Sequence, residues 1–357
     1  MSKKILTVAI PTYNGGDSLI EAVKSCEHLK IPKDDFEILV CDNASNDGSI
    51  DKLRNLTYKF PNVRIEINNT NIGRVGNWRR CINLSNSDYL IFLFTNDRIH
   101  YNNIVSELLK LMRNKNYPAL MCNTLGITDR GKFLFYDKYE GEISLKEFID
   151  KYFVEKMNFA SLGILQSYIF NLSVIKKYNI TFREDIDRTT DRVFIFDVIR
   201  LGGGIFYKSN SILTEWILNH RRSHAKYHLS MYLSDFSEFY KHFHTIWIQE
   251  FLANMYILTN SGYSDKESLY LMYSYIKQEL YIKRIKKIIA SLSKKLKSYE
   301  YEKLNYDYAL EEIAYKVLVT YLDITKHRNL TSIVKHEYIA LKSVIKRIAS
   351  KILKSIE

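Results

Sequence analysis

Residues 5–14 read ILTVAIPTYN, an apolar and β-branched run that stops at a proline and a polar turn. A run without polar alternation is a strand buried on both faces. Working outward, Ser18–Leu29 has helical spacing, FEILVCD (36–42) reads as a second strand, and a helix follows that ends near Phe60. VRIEIN (63–68), a helical segment around Trp78–Leu84 and YLIFLF (89–94) continue the alternation. Continuous apolar strands alternating with helices predict an α/β fold with a mainly parallel sheet covered on both faces.

From about 119 to 219 the pattern is mixed. ALMCNTLGIT, KFLFY, ILQSYIF, GIFYKS and ILTEWIL read as shorter strands with helices between them. Beyond about 230 only helices are predicted: all four prolines lie by residue 118, and Gly262 is the one glycine after Gly204. A long stretch without breakers favours helix. The expected division is an α/β domain over 1–229 and an all-helical, basic extension over 230–357.

Composition narrows the function classes. With 46% hydrophobic and 26% charged residues the chain is globular rather than disordered. Cys26, Cys41, Cys81 and Cys122 are far apart and form no CxxC pair, which argues against zinc or disulfide frameworks and for reduced thiols in the cytoplasm. The first apolar run is too short for a signal peptide, and no stretch reaches the ~20 apolar residues of a membrane span. A net charge of +12 calls for an anionic partner: nucleic acid, anionic lipid or a phosphorylated small ligand. Nucleic acid is disfavoured, because the basic stretches lack regularly interleaved aromatics and no base-reading motif appears.

In an open α/β sheet ligands bind beyond the carboxyl ends of the strands. Each of the four early strands ends in a polar, turn-forming cluster: Pro11-Thr12-Tyr13-Asn14, Asp42-Asn43-Ala44-Ser45, Asn71-Ile72-Gly73-Arg74 and Thr95-Asn96-Asp97. One cluster is a turn; four on one edge line a crevice. Asp42 and Thr12 suit a nucleobase edge, with Tyr13 available for stacking, and Arg74 suits a diphosphate. Asp97 can ligate a divalent cation, Mg²⁺ or Mn²⁺, through oxygen. The plainer alternatives are that Asp42-Asn43 caps the helix over 48–60, that Asn71 and Asn77 are turn and cap residues, and that Asp97 caps a helix near 103.

The blocks VAIPTYN, EILVCDNASNDGS, NIGRVGNW and YLIFLFTND, in that order, resemble the N-terminal half of family 2 glycosyltransferases, with abequosyltransferase-like and rhamnosyltransferase-like bacterial members nearest. The resemblance covers roughly residues 5–100 and continues more weakly to about 225. It implies a GT-A fold, a nucleotide-binding half over about 1–100, an acceptor half over about 101–229, and inverting transfer by single displacement. Thr12, Tyr13 and Asp42 then hold the nucleoside of a UDP- or dTDP-linked sugar, beside Pro11 and Asn14, and Arg74 near Asn71 reaches the donor. The fourth block usually carries two acids; here Asn96 replaces the first, Asp97 keeps the metal position, and Arg98 follows. Metal dependence is thereby left open.

Inverting transfer needs a carboxylate to take the acceptor hydroxyl's proton. The resemblance places that base in FREDIDRTTDRVFIFDVIRLGGGIFYKSN, where Asp191 opens a helix and fits best. Glu184, Asp185, Asp187 and Asp197 compete, and an N-cap in a solvated acidic loop is the plain alternative. In NHRRSHAKYHLS, Arg222-Ser223-His224 resembles the family's Arg-x-His stretch, so His224 would join Asp97 at a metal and Arg222 would hold diphosphate; His220 and His228 are substitutes, and a plain surface loop is the alternative.

Two C-terminal segments are strongly basic: 277–300 carries eight Lys/Arg against two Glu, and 335–357 six against two. Leu341, Ile345, Ile348, Ile352 and Ile356 share a helical face edged by Lys342, Lys346 and Lys354. Such a helix lies on anionic lipid, or packs on its own domain or another subunit. The expected function is sugar transfer to a bacterial surface glycan or lipid-linked saccharide by a cytoplasmic, peripherally membrane-bound enzyme. The alternative is a non-catalytic nucleotide-sugar-binding module within a glycan-assembly complex.

Overall fold

The computed structural model of the protein describes residues 3–128, 131–135, 139–156, 161–218, 249–250, 252–265, 267–268 and 271–272. The chain divides into two compact units, Met1–Met231 and Tyr232–Glu357. In the second, residues 252–259 are helical.

The first unit begins with β1 (Lys4–Thr12), α1 (Gly16–Ser25), β2 (Phe36–Asp42), α2 (Ser49–Arg54), β3 (Val63–Ile67), α3 (Gly73–Leu84) and β4 (Ser87–Phe92). β1 pairs in parallel with both β2 and β4, and β2 with β3, so these strands lie in the order β3-β2-β1-β4. The apolar runs are there because helices cover both faces: every residue of β1 from Leu6 onward is buried, and in β2 only Glu37 is part-exposed. β3 is the edge, half-exposed along most of its length and guarded by charge, with Arg64 held by Glu37 at 3.1 Å and Glu66 at 2.9 Å.

The chain continues through β5 (Asp97–Ile99), α4 (Val105–Lys115), β6 (Ala119–Thr128), β7 (Gly131–Phe135), β8 (Gly141–Ser144), α5 (Leu145–Phe148), β9 (Tyr168–Asn171), α6 (Leu172–Lys177), α7 (Thr190–Leu201) and β10 (Ile205–Leu218). Beyond β4 the sheet runs β9-β6-β10-β5, with β7 on β6 and β8 on β10. β6 and β10 are parallel; the other pairings in this half are antiparallel. The connection from β6 to β7 is far too short for a crossover and allows only antiparallel return.

Three local expectations change. GIFYKS and ILTEWIL form one strand, β10, whose pairing with β6 shifts register between Lys208 and Ile212 and again before Thr214. The polar Ser209-Asn210-Ser211 bulges rather than ends the strand. In ILQSYIF only the last residues are strand, after a 3-10 turn at Leu165–Ser167. Asp97 opens β5 instead of capping a helix near 103; the side chain that meets the start of α4 is Asn103, its Oδ1 accepting the Val105 N–H at 3.2 Å.

The core has two layers. Leu6, Val8, Ile10, Ile38, Val40 and Ile91 pack with α1, α2 and α4 on one face. An aromatic cluster forms with Trp78 of α3: Phe182 stacks on Phe194 at 4.2 Å and meets Trp78 and Phe92 edge-on at 5.3 and 5.7 Å. All four cysteines are buried and free. Among the described residues no helix is long and apolar enough to cross a membrane.

Candidate active site

β1 outruns its pairing with β4. Their register stops at Ala9 and Phe92, followed by one last bond from the Leu93 N–H to the Ala9 carbonyl at 2.9 Å. The β1–β2 ladder instead runs on to Thr12 and Asp42. The chain order also reverses here, since β2 and β3 lie on one side of β1 and β4 on the other. A crevice at such a switch point is where open α/β sheets take ligands. Pro11 is tolerated in a central strand because the β4 ladder has already ended. The Thr12 hydroxyl is buried in this region with no hydrogen-bond partner among the described residues. A Cβ on Gly15 would stand 2.6 Å from that hydroxyl and 3.1 Å from the Thr95 methyl, so a glycine lets the start of α1 close on both strand ends.

The loops after β1 and β2 are laced together. The Asn14 N–H donates to Ser45 Oγ at 2.8 Å, and Asn14 Oδ1 accepts the Asn46 N–H at 3.0 Å. Asn14 and Ala44 both sit at positive φ, 50° and 62°. For alanine that conformation is strained, and it lies at the candidate site. Asp42 is buried and accepts from Ser45 twice, from its hydroxyl at 2.5 Å and its N–H at 3.0 Å. Asp42 therefore shapes its own loop and does not cap α2; Asp47 meets the Ser49 N–H there at 3.1 Å. Tyr13 is exposed, a ring free to stack.

Asn43 is the residue that sequence reasoning undervalued. Its Nδ2 donates to Asn71 Oδ1 at 2.7 Å and the Gly73 carbonyl at 3.3 Å, and its Oδ1 accepts from Asn68 Nδ2 at 3.0 Å and the Ile72 N–H at 2.9 Å. Asn77 joins by donating to the Cys41 carbonyl at 2.9 Å and accepting from Asn68 at 3.1 Å. The ends of β2 and β3 and the start of α3 are thus tied through one amide, and Asn71 is a turn residue that accepts the Gly73 N–H at 2.9 Å. The available signal is Asn43, Asn68 and Asn71 after two strands, with Asn77 on the helix that follows. Asn43→Ala is expected to cost ~3 kcal/mol in urea unfolding, because several buried partners lose their bonds together. A loss below ~1 kcal/mol would mean water replaces the network.

At the end of β4 the turn 94–97 folds back onto β10. Asn96 offers its carbonyl to the Ile217 N–H at 3.0 Å, and Asp97 pairs with Trp216 across the β5–β10 ladder. Asp97 is fully buried, and among the described residues its carboxylate accepts a single long bond, from the Phe94 N–H at 3.3 Å. Burial pushes its carboxyl up to about 8, against the opposing pull of that bond and of Arg98. Arg98 donates to the carbonyls of Asp97 at 2.7 Å and Thr95 at 3.3 Å. It also feels Glu21, Asp97 and Glu215 electrostatically. Among the described residues no three His, Cys, Asp or Glu side chains gather to hold a metal. A buried, under-bonded carboxylate nonetheless fits the chemistry of a cation ligand.

The acidic segment docks on α3. Arg79 donates to the Phe182 carbonyl at 2.8 Å and pairs with Glu184 at 2.5 Å, while Arg74 reaches Asp187. Asp185 is paired with Arg183 at 2.5 Å and Asp197 with Arg200 at 2.9 Å. Asp191 differs from these competitors. It lies half-buried in the first turn of α7 and forms no ion pair among the described residues. Burial raises its carboxyl above the usual range, with Arg192 and Arg74 pulling the other way. Pro11, Thr12, Asn14 and Asp42 share the β1–β2 edge, Asn71 and Arg74 lie at the start of α3, and the Arg74 charge acts on Asp191. Arg222 and His224, and the basic segments 277–300 and 335–357, lie outside the described residues.

A nucleotide-binding type of α/β sheet, with polar strand ends on one edge and an unpaired carboxylate opening a later helix, is the class these features define. The sequence model described as "Glycosyl transferase family 2" matches residues 7–171. The chain carries a family 2 glycosyltransferase domain, with the GT-A fold. It is 29% identical over 196 residues to the poly(ribitol-phosphate) beta-glucosyltransferase of Bacillus spizizenii, a match that takes in 53% of this chain and 28% of that protein. Over 98 residues it is 34% identical to abequosyltransferase RfbV of Salmonella typhimurium, covering 27% of this chain and 29% of the relative. The chain thus spans less than a third of either relative's length. The crystal structure of S. aureus TarS 1-349 in complex with UDP-GlcNAc aligns with a TM-score of 0.60 at 15% identity, covering 97% of this chain and 92% of that one. At that identity the likeness is one of fold.

Proposed function

We propose that the protein is an inverting glycosyltransferase moving a sugar from a nucleoside-diphosphate donor to a bacterial surface-glycan or lipid-linked acceptor. The observation that carries this reading is the pairing of an orphaned, buried Thr12 hydroxyl at the β1/β4 switch point with the unpaired Asp191 carboxylate. Thr12, Tyr13 and Asp42, beside Pro11 and Asn14, hold the nucleoside, and Asn71 and Asn96 fix the loops around it. The acceptor oxygen attacks the anomeric carbon as the bond to diphosphate breaks on the opposite face, and Asp191 takes the hydroxyl proton. A carboxyl raised by burial is a better base for that proton than an ordinary aspartate.

Asp97, with His224 from outside the described residues, would hold a divalent cation, Mn²⁺ or Mg²⁺. Such a cation neutralises the charge that develops on the leaving diphosphate. Arg222 is assigned to the same diphosphate. A UDP-linked donor is favoured, since the TarS structure named above is a UDP-GlcNAc complex. A polyol-phosphate acceptor is favoured by the name of the Bacillus relative. The basic C-terminal segments are assigned to the anionic inner face of the membrane. Asn96 and Arg98 favour the non-catalytic alternative, but Arg98 is held by the carbonyls of its own turn and leaves Asp97 in place.

The test is UDP release from UDP-glucose and UDP-GlcNAc, with and without poly(ribitol phosphate), followed by NMR of the product. Acceptor-dependent release with a β-linked product from the α-linked donor is expected. Retention of the α configuration, or no release with any donor, would contradict the proposal.

A further inference from the structure

We propose that Arg74 is a positioning residue for the catalytic base: it fastens the segment 182–191 to α3 and so sets where Asp191 stands. The inference rests on the assignment of Asp191 just made, and it gives Arg74 a different task from the donor contact expected of it. Arg74 lies in the first turn of α3, with its guanidinium 4.9 Å from the Trp78 ring centre on the next turn of the same helix. A planar cation stacked on an aromatic face keeps its orientation, and its fork is left to donate in one direction. That direction is the acidic segment, where Arg74 Nη2 donates to the Asp187 carbonyl and lies 3.5 Å from the Asp187 carboxylate.

The hold on Asp187 reaches Asp191 because the segment between them is closed on itself. The Arg183 N–H donates to Thr190 Oγ1 at 2.6 Å, and the Thr189 N–H to the Ile186 carbonyl at 2.9 Å. Residues 183–190 thus move as one loop, and Asp191 follows Thr190 directly in α7. The other end of the loop is anchored by Arg79, which donates to the Phe182 carbonyl at 2.8 and 2.5 Å. Arg79 fixes where the loop leaves the core; Arg74 fixes the side that carries the base.

Arg74 also acts on Asp191 through its charge. The carboxyl faces Arg192 on its own helix and Arg74 on α3, both favouring ionisation against the burial that opposes it. The remaining charges of the loop, Arg183, Glu184, Asp185, Asp187 and Arg188, include three carboxylates already engaged by arginines. Removing the Arg74 cation therefore moves the Asp191 carboxyl further up, and the acid limb of the kcat profile with it.

The experiment compares Arg74→Ala and Arg74→Lys with the unaltered full chain in two independent readouts. Hydrogen exchange needs no activity: amides of 182–191 are expected to exchange faster in Arg74→Ala, with β1, β2 and β4 unchanged. In kinetics, kcat is expected to fall roughly 10- to 100-fold, as for a displaced reacting group, while UDP affinity stays within about twofold. The acid limb moves to higher pH, and Arg74→Lys recovers part of both effects. Unchanged exchange over 182–191 would overturn the proposal whatever the activity. Weakened UDP binding with kcat preserved would overturn it in favour of a donor contact. Altered exchange in a chain whose parent transfers no sugar would leave the fastening intact and remove the base assignment.

Discussion

Asp191→Asn is expected to lower kcat by roughly 10²- to 10⁴-fold while UDP binds as before, because the amide keeps the shape of the carboxylate but cannot take a proton. Burial holds the Asp191 carboxyl above the ordinary aspartate range, and Arg192 and Arg74 offset that in part. The base works only when deprotonated, so kcat rises with pH along an acid limb centred above the usual value of about 3.9. In Asp191→Asn that limb disappears from the residual rate. Asp197→Asn serves as the control: Asp197 is bridged to Arg200, so a comparable loss there would shift the base away from Asp191.

Phe182→Ala is expected to destabilise the α/β unit by about 3–5 kcal/mol, the range for deleting a fully buried aromatic side chain. Phe182 is 0% exposed and touches Phe194, Phe92 and Trp78, joining α7, β4 and α3. The cavity left among rigid rings collapses poorly. Because its carbonyl is the anchor for Arg79, the same change should loosen the loop that carries Asp191. Urea unfolding gives the first effect and kcat of the folded fraction the second. A loss below ~1 kcal/mol would mean the rings repack.

The first four strands could be read from sequence because they are buried on both faces, and β1, β2, β3 and β4 fall within two residues of the predicted runs. The polar clusters at their ends were readable for the same reason, since parallel strands put all their carboxyl ends on one edge. β5 escaped because three residues, Asp97–Ile99, carry no period, and only the long-range ladder to β10 makes them a strand. β10 was split in two because a bulge of Ser209-Asn210-Ser211 looks like a turn until its neighbours are seen. Individual roles were harder than the site itself. Arg74 reads as a phosphate ligand next to a glycine, and only the tertiary contact with Asp187, 113 residues on, shows where its donors go. Asn43 reads as a cap, and its four partners all lie between the end of β3 and the start of α3.

The most direct measurement is calorimetric titration of UDP, dTDP and GDP into the protein, each with and without Mn²⁺. Binding of UDP or dTDP, lost in Thr12→Val and strengthened by Mn²⁺, is the predicted result and would make the β1/β4 crevice a donor site with Asp97 as a cation ligand. The absence of binding by all three nucleotides, in both conditions, would contradict the assignment of this domain to sugar transfer.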